Sequence, residues 1–150
     1  GTGQGASWRD EAFEEIPVGK GIKLHEGEGI AILTIGAVGN KASEAVLKAE
    51  GEGIQVLHFN MRFIKPIDEE ILSEACRKAP TIITVEDGAL YGGLHSAVSE
   101  YVTTNGLGNK VISLGIPDRF IEQGSVAELH RECGYDAESI YNAIKENYKR

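Results

Sequence analysis

Ile30-Ala31-Ile32-Leu33-Thr34-Ile35 places five apolar side chains in six positions, with no polar–apolar alternation. A strand with one wet face alternates. An unbroken run of this length marks a strand covered on both faces. Downstream, Gly36 to Gly39 turn the chain, and Val38, Ala42, Ala45, Val46 and Ala49 recur at helical spacing until Gly51 and Gly53 stop the helix. Ile54 to Phe59 reads as a second buried strand. Asn60 to Ile67 reads as a loop, and Asp68 as an N-cap with Glu69 and Glu70 in the first turn. Ile71, Leu72, Ala75, Cys76 and Ala79 give that helix its apolar face.

The alternation continues. Pro80 ends the helix, and Thr81 to Val85 is a third buried strand. After a glycine-rich loop from Glu86 to Gly93, a third helix is marked by Leu94, Ala97, Val98, Tyr101 and Val102 and closed by Asn105-Gly106. Val111 to Ile116 is a fourth strand. Pro117 to Gly124 is a loop, Ser125 caps a short helix that breaks at Cys133-Gly134, and Asp136 caps a last helix. Upstream, Gly19 to Leu24 reads as an edge strand. Residues 1–15 hold Trp8 and Phe13 in glycine-rich polar sequence and read as a linker or arm, leaving 16–150 as the domain. The pattern predicts a three-layer α/β/α fold with a mostly parallel five-stranded sheet and one antiparallel edge strand.

At 150 residues and 16.2 kDa the chain is one domain's worth. Apolar residues at 41% and charged residues at 25% exclude a disordered tail or a fibrous repeat. No stretch approaches the ~20 apolar residues of a membrane span. Lys and Arg total 15 against 23 for Asp and Glu, a net charge of −8 that repels phosphate backbones, so nucleic acid is not an expected partner. Cys76 and Cys133 form no CxxC and read as reduced residues on buried helix faces. A reducing, cytoplasmic setting follows from that and from the missing signal peptide. Gly1 opens the sequence and Met61 is its only methionine, so the chain is expected to be processed or cut from something longer.

In a parallel sheet the strand-to-helix loops gather at the carboxyl edge, where ligands bind. Four loops share that rim: Gly36 to Asn40, Asn60 to Ile67, Glu86 to Gly93, and Pro117 to Gly124. Gly36-Ala37-Val38-Gly39 lacks the GxGxxG spacing and the P-loop lysine, so it reads as a tight turn before it reads as a phosphate cradle. Arg62 and Lys65 lie near Glu86 and Asp87, a mixture that could bind a charged ligand, with Glu86 as a general base, and that equally suits ion pairs fixing loops or a neighbouring domain, the favoured reading. His95 and Ser96 are adjacent on a helix and therefore do not face each other. The four histidines, His25, His58, His95 and His130, show no HxH or HxxxH spacing, and His58 reads as a satisfied core or rim histidine. No nucleophile, base and cofactor cradle come together in this reading.

Taken together, the loops resemble one family. Asn60-Met61-Arg62-Phe63-Ile64-Lys65-Pro66-Ile67-Asp68 resembles the DMRFVKPLD segment of the 1-deoxy-D-xylulose-5-phosphate synthases. Thr84-Val85-Glu86-Asp87-Gly88 with Tyr91-Gly92-Gly93 resembles their TVEEN…GG stretch, and Gly115 to Gly124 their GLPDxFIxQG stretch. Ile16-Pro17-Val18-Gly19-Lys20-Gly21 resembles the start of their last domain. The order agrees from Ile16 to Tyr148, with Asn60 standing where the family has Asp and Asp87-Gly88 where it has Glu-Asn.

The resemblance implies the C-terminal domain of a homodimeric, three-domain enzyme with the fold of the transketolase C-terminal domain. The parent would use thiamine diphosphate and magnesium to condense pyruvate with glyceraldehyde 3-phosphate, with loss of carbon dioxide. Its preceding domains would hold the cofactor and metal. Gly1-Thr2-Gly3 would then follow the substrate-binding arginine of the family's YPRG motif. This domain would contribute no catalytic, cofactor or metal residue and would pack against the others. Arg62, Lys65, Asp68, Glu86, Gly92, Gly93, Asp118 and Gln123 are the expected rim. Two alternatives stand beside this reading. One is the same domain of a transketolase or of a 2-oxo-acid dehydrogenase β subunit. The other is a stand-alone anion-binding or regulatory module.

Overall fold

The computed structural model describes residues 18–36, 38–87, 93–116 and 136–148. The expected arm at 1–15, the helix capped by Ser125, and Cys133 and His130 lie outside the described residues. Five strands, β1 (Ile22–His25), β2 (Ile30–Thr34), β3 (Leu57–Asn60), β4 (Thr81–Asp87) and β5 (Lys110–Ile116), form one sheet in the order β1-β3-β2-β4-β5. β2, β3, β4 and β5 pair in parallel, while β1 runs antiparallel to β3 at the edge. The helices are α1 (Val38–Glu50), α2 (Glu69–Lys78), α3 (Gly93–Thr104) and α4 (Asp136–Asn147).

The decisive run behaves as its composition demands: every residue of β2 is buried, with Ile30 and Ile32 on one face and Ala31 and Leu33 on the other. α1 and α4 cover the first face through Val38, Ala42, Val46, Ile140 and Ile144. α2 and α3 cover the second through Leu72, Ala75, Leu94 and Val98. Topology explains that division. From β2 the chain steps one way to β3, then reverses to reach β4 and β5. Right-handed crossovers in opposite directions must run over opposite faces. The reversal leaves a crevice at the carboxyl ends of β2 and β4, the usual ligand position in such sheets.

Two strands start three residues later than the sequence reading has them, for a common reason, and β4 runs on to Asp87 where Val85 was the expected end. β3 starts at Leu57 rather than Ile54, because the intervening backbone is engaged elsewhere. Ile54 N–H closes the end of α1 on Ala49 O (3.0 Å), Gln55 O accepts from Glu28 N–H, and Val56 O faces His25 Nδ1 (2.7 Å). β1 starts at Ile22 rather than Gly19. Gly19 has a φ of +80°, outside any strand, and Gly21 N–H is bound to the Asp68 carboxylate. Gly27 is required by close approach: a Cβ there would lie 2.2 Å from Gln55 O.

Candidate functional site

β2 and β3 end level, with Thr34 registered against Asn60 and Val85, and β4 and β5 end level two residues farther on, with Asp87 against Ile116. The four parallel strands therefore end at one edge of the sheet, as the sequence predicts. Of the expected rim residues, Gly92, Asp118 and Gln123 lie outside the described residues, as does the side chain of Asp87. The other five fall into two groups.

Asp68 and Glu86 are inside the molecule. Asp68 is 5% exposed and caps α2: its Oδ1 accepts from Glu70 N–H (3.1 Å) and Ile71 N–H (3.3 Å). Its Oδ2 accepts from Gly21 N–H (2.9 Å), so one carboxylate also fixes the entry to β1. Glu86 is fully buried at the end of β4. Its Oε1 accepts from Leu94 N–H (2.9 Å) and its Oε2 from His95 N–H (3.1 Å), two of the orphan amides that begin α3. A helix N-terminus carries partial positive charge, which stabilises a carboxylate in this position. Gly93 gives the close approach: a Cβ there would stand 3.3 Å from Ile64 Cδ1 and 4.0 Å from Glu86 Oε1.

Arg62, which is half-buried, and Lys65 form the second group. Arg62 adopts φ +64°, the left-handed region that costs a side-chain-bearing residue energy. The Asn60 side chain holds it there by accepting from Arg62 N–H at 3.0 Å. Lys65 is exposed, and neither cation forms an ion pair with another described residue. The expected pairing of these cations with Glu86 is not made. Glu86 spends two contacts on backbone amides instead. Sequence reasoning missed that role because a cap normally precedes its helix directly, whereas Glu86 binds amides eight and nine residues further on.

Gly36 (φ +81°) turns between β2 and α1, and Gly39 N–H returns to Gly36 O at 3.1 Å, the geometry of a plain tight turn. His95 Nε2 faces Ser99 Oγ at 3.4 Å, one turn along α3, and not Ser96. His58 is 1% exposed, with Nε2 3.1 Å from Thr34 Oγ1 and no hydrogen-bond partner for Nδ1 among the described residues. Burial, and secondarily the charge of His25, push its pKa down to about 4. Cys76 is partly buried on α2, and burial pushes its thiol up, away from the reactive thiolate. No three His, Cys, Asp or Glu side chains among the described residues group as metal ligands. No described helix is long and apolar enough to cross a membrane.

Among the described residues the rim thus holds two buried carboxylates bound to backbone amides and two cations without an ion pair. Several known proteins are similar to this chain. The family profile described as "Transketolase, C-terminal domain" matches residues 19–140. The 1-deoxy-D-xylulose-5-phosphate synthase of Cytophaga hutchinsonii is 48% identical over 97% of this chain, and that of Bacteroides fragilis is 44% identical over all of it. The chain spans 23% of the length of each of these relatives. Among solved structures, a split-gene transketolase described as an inactive β4 tetramer superposes with a TM-score of 0.73 at 33% identity, covering 90% of this chain and 45% of that one. The 2-oxoglutarate:ferredoxin oxidoreductase of Magnetococcus marinus, at TM-score 0.58 and 15% identity, covers 93% of this chain and 21% of its own, and shares the fold.

Proposed function

The chain belongs to the transketolase C-terminal domain family, and from that premise we propose that it is the C-terminal domain of a 1-deoxy-D-xylulose-5-phosphate synthase. Residues 1–15 are the link from the preceding domain, and 16–150 the packing domain. The parent joins pyruvate to glyceraldehyde 3-phosphate, releases carbon dioxide, and works as a homodimer in the cytoplasm. Thiamine diphosphate supplies the carbanion chemistry there, with magnesium on its diphosphate.

This domain serves packing and dimerisation. The observation that carries the reading is the state of the rim carboxylates. Asp68 and Glu86 are both buried and both consumed by backbone amides, so neither is available as a general base. The described residues also offer neither a trio of metal ligands nor a P-loop lysine after Gly36. In this reading Arg62 and Lys65 face the other domains, and the family resemblance adds Gly92, Gly93, Asp118 and Gln123 to that rim. Asp68 and Glu86 fix the starts of α2 and α3 behind it. A strained Arg62, held in place by Asn60, is a rigid donor fork suited to a carboxylate across an interface.

Arg62→Ala in the full-length enzyme tests this. The expected result is a lower unfolding temperature or a weakened dimer, with the KM for pyruvate unchanged. A stable dimer with a purely kinetic defect would place Arg62 in the chemistry and overturn the assignment.

A further inference from the structure

Among the described residues, Arg62 is the only one other than glycine with a positive φ, at +64°. Phe63 N–H returns to Met61 O at 2.6 Å, so Arg62 is the central residue of a γ-turn. With φ positive, this is the rarer and strained of the two γ-turn forms. Glycine takes such a backbone without steric penalty, whereas a Cβ crowds the following carbonyl. The sequence nevertheless places a long cation there. Its guanidinium forms neither an ion pair nor a hydrogen bond with another described residue. The strain therefore has no offset from that side chain among the described residues.

The turn is held at two points. Met61 is fully buried, and its N–H donates to Thr34 O at 2.7 Å, which anchors the turn to the end of β2. Asn60 Oδ1 accepts from Arg62 N–H itself at 3.0 Å. Strained conformations persist where their surroundings over-determine them, and they gather at functional contacts. A side chain on such a turn has its direction set before a partner arrives, so docking loses less freedom. An unpaired guanidinium is a planar donor fork that fits a carboxylate through two parallel bonds.

We propose that Asn60 is a positioning residue. It clamps Arg62 in the strained turn, and the strain is kept for a contact between the guanidinium and a carboxylate on a preceding domain of the parent. The proposal rests on the reading of the chain as one domain of a larger synthase, and it adds the device that aims the rim cation.

Urea unfolding of the 150-residue chain tests the clamp. Arg62→Gly should raise the midpoint, because glycine relieves the turn. Asn60→Ala should lower it, and should lower it less than half as far when combined with Arg62→Gly, which needs no clamp. Asn60→Asp keeps the acceptor and should hold the unaltered midpoint. In the full-length protein the sign for Arg62→Gly should reverse to a lower unfolding temperature, because the outside contact is lost, and the loss should shrink in high salt. A lower midpoint for Arg62→Gly in the 150-residue chain overturns the proposal, as does an Asn60→Ala effect of equal size with and without it. A gain in stability in both chains overturns the outside contact, and a loss indifferent to salt overturns the carboxylate. Arg62→Gly in the two chains decides the matter if Asn60→Ala does not fold. Synthase activity of the unaltered full-length protein reads the parent's identity separately: its absence would overturn that reading, while the sign reversal would still support the contact.

Discussion

His58 illustrates how much one buried polar side chain constrains this fold. With the Thr34 hydroxyl directed to Phe59 O, the His58 Nε2–H donates to Thr34 and Nδ1 is left as a bare lone pair. Its neighbour His25 is set differently, with Nδ1 on Val56 O and Nε2 3.3 Å from Glu50, contacts that tolerate a positive charge. Folding therefore lowers the His58 pKa from 6.5 to about 4. As pH falls through 6.5 the unfolded chain takes up a proton that the folded protein refuses until about 4, so stability declines across that window and levels off below it. At about 1.4 kcal/mol per unit, the loss is ~3 kcal/mol. Urea unfolding at a series of pH values checks this: His58→Gln should remove most of that slope. An unchanged slope would show that His58 does not govern it. The sequence made His58 legible as a core histidine but not as an unpaired one. Its partner and its missing partner depend on how β2 and β3 register.

At the scale of the element, helix faces were legible from spacing alone, because 3.6-residue periodicity is a local property. Ala42, Ala45, Val46 and Ala49 of α1, and Ile71, Leu72 and Ala75 of α2, are all buried as the pattern predicts. The Asp68 cap was legible for the same reason, since its amides lie two and three residues on. Its third bond, to Gly21 across 47 residues, was not. Strand limits failed where non-ladder partners captured the backbone, at Ile54 to Val56 and at Gly19 to Gly21. The edge strand β1 is further tied to α2 by a closed ring of four charges, in which Lys23 and Lys78 each bridge Glu26 and Glu74 at 2.6–2.9 Å. Glu86 sets the start of α3 in the same non-local way. Glu86→Gln keeps the shape but turns one acceptor into a donor facing an N–H group. The expected cost is ~1–3 kcal/mol, measurable by thermal or urea unfolding. Hydrogen exchange should quicken first at Leu94 and His95, and exchange unaltered at those amides would remove Glu86 from its capping role.

For the whole molecule, the α/β/α layering, the mostly parallel sheet and the antiparallel edge strand were legible from alternation, whereas the strand order β1-β3-β2-β4-β5, which sets the face each helix covers, was not. The rim's position was legible too, as the carboxyl edge of a parallel sheet. Its internal division was not. Sequence places Arg62, Lys65, Asp68 and Glu86 together, and only the structure separates two cations without an ion pair to a described residue from two buried carboxylates bound to backbone amides. That division is the physical basis for a domain that presents a surface rather than a reaction centre. The most direct test is calorimetric titration of the 150-residue chain with thiamine diphosphate and magnesium. The account predicts no heat of binding, because the cradle for both belongs to the preceding domains. Saturable, stoichiometric binding would contradict it and place cofactor chemistry on the rim assigned here to packing.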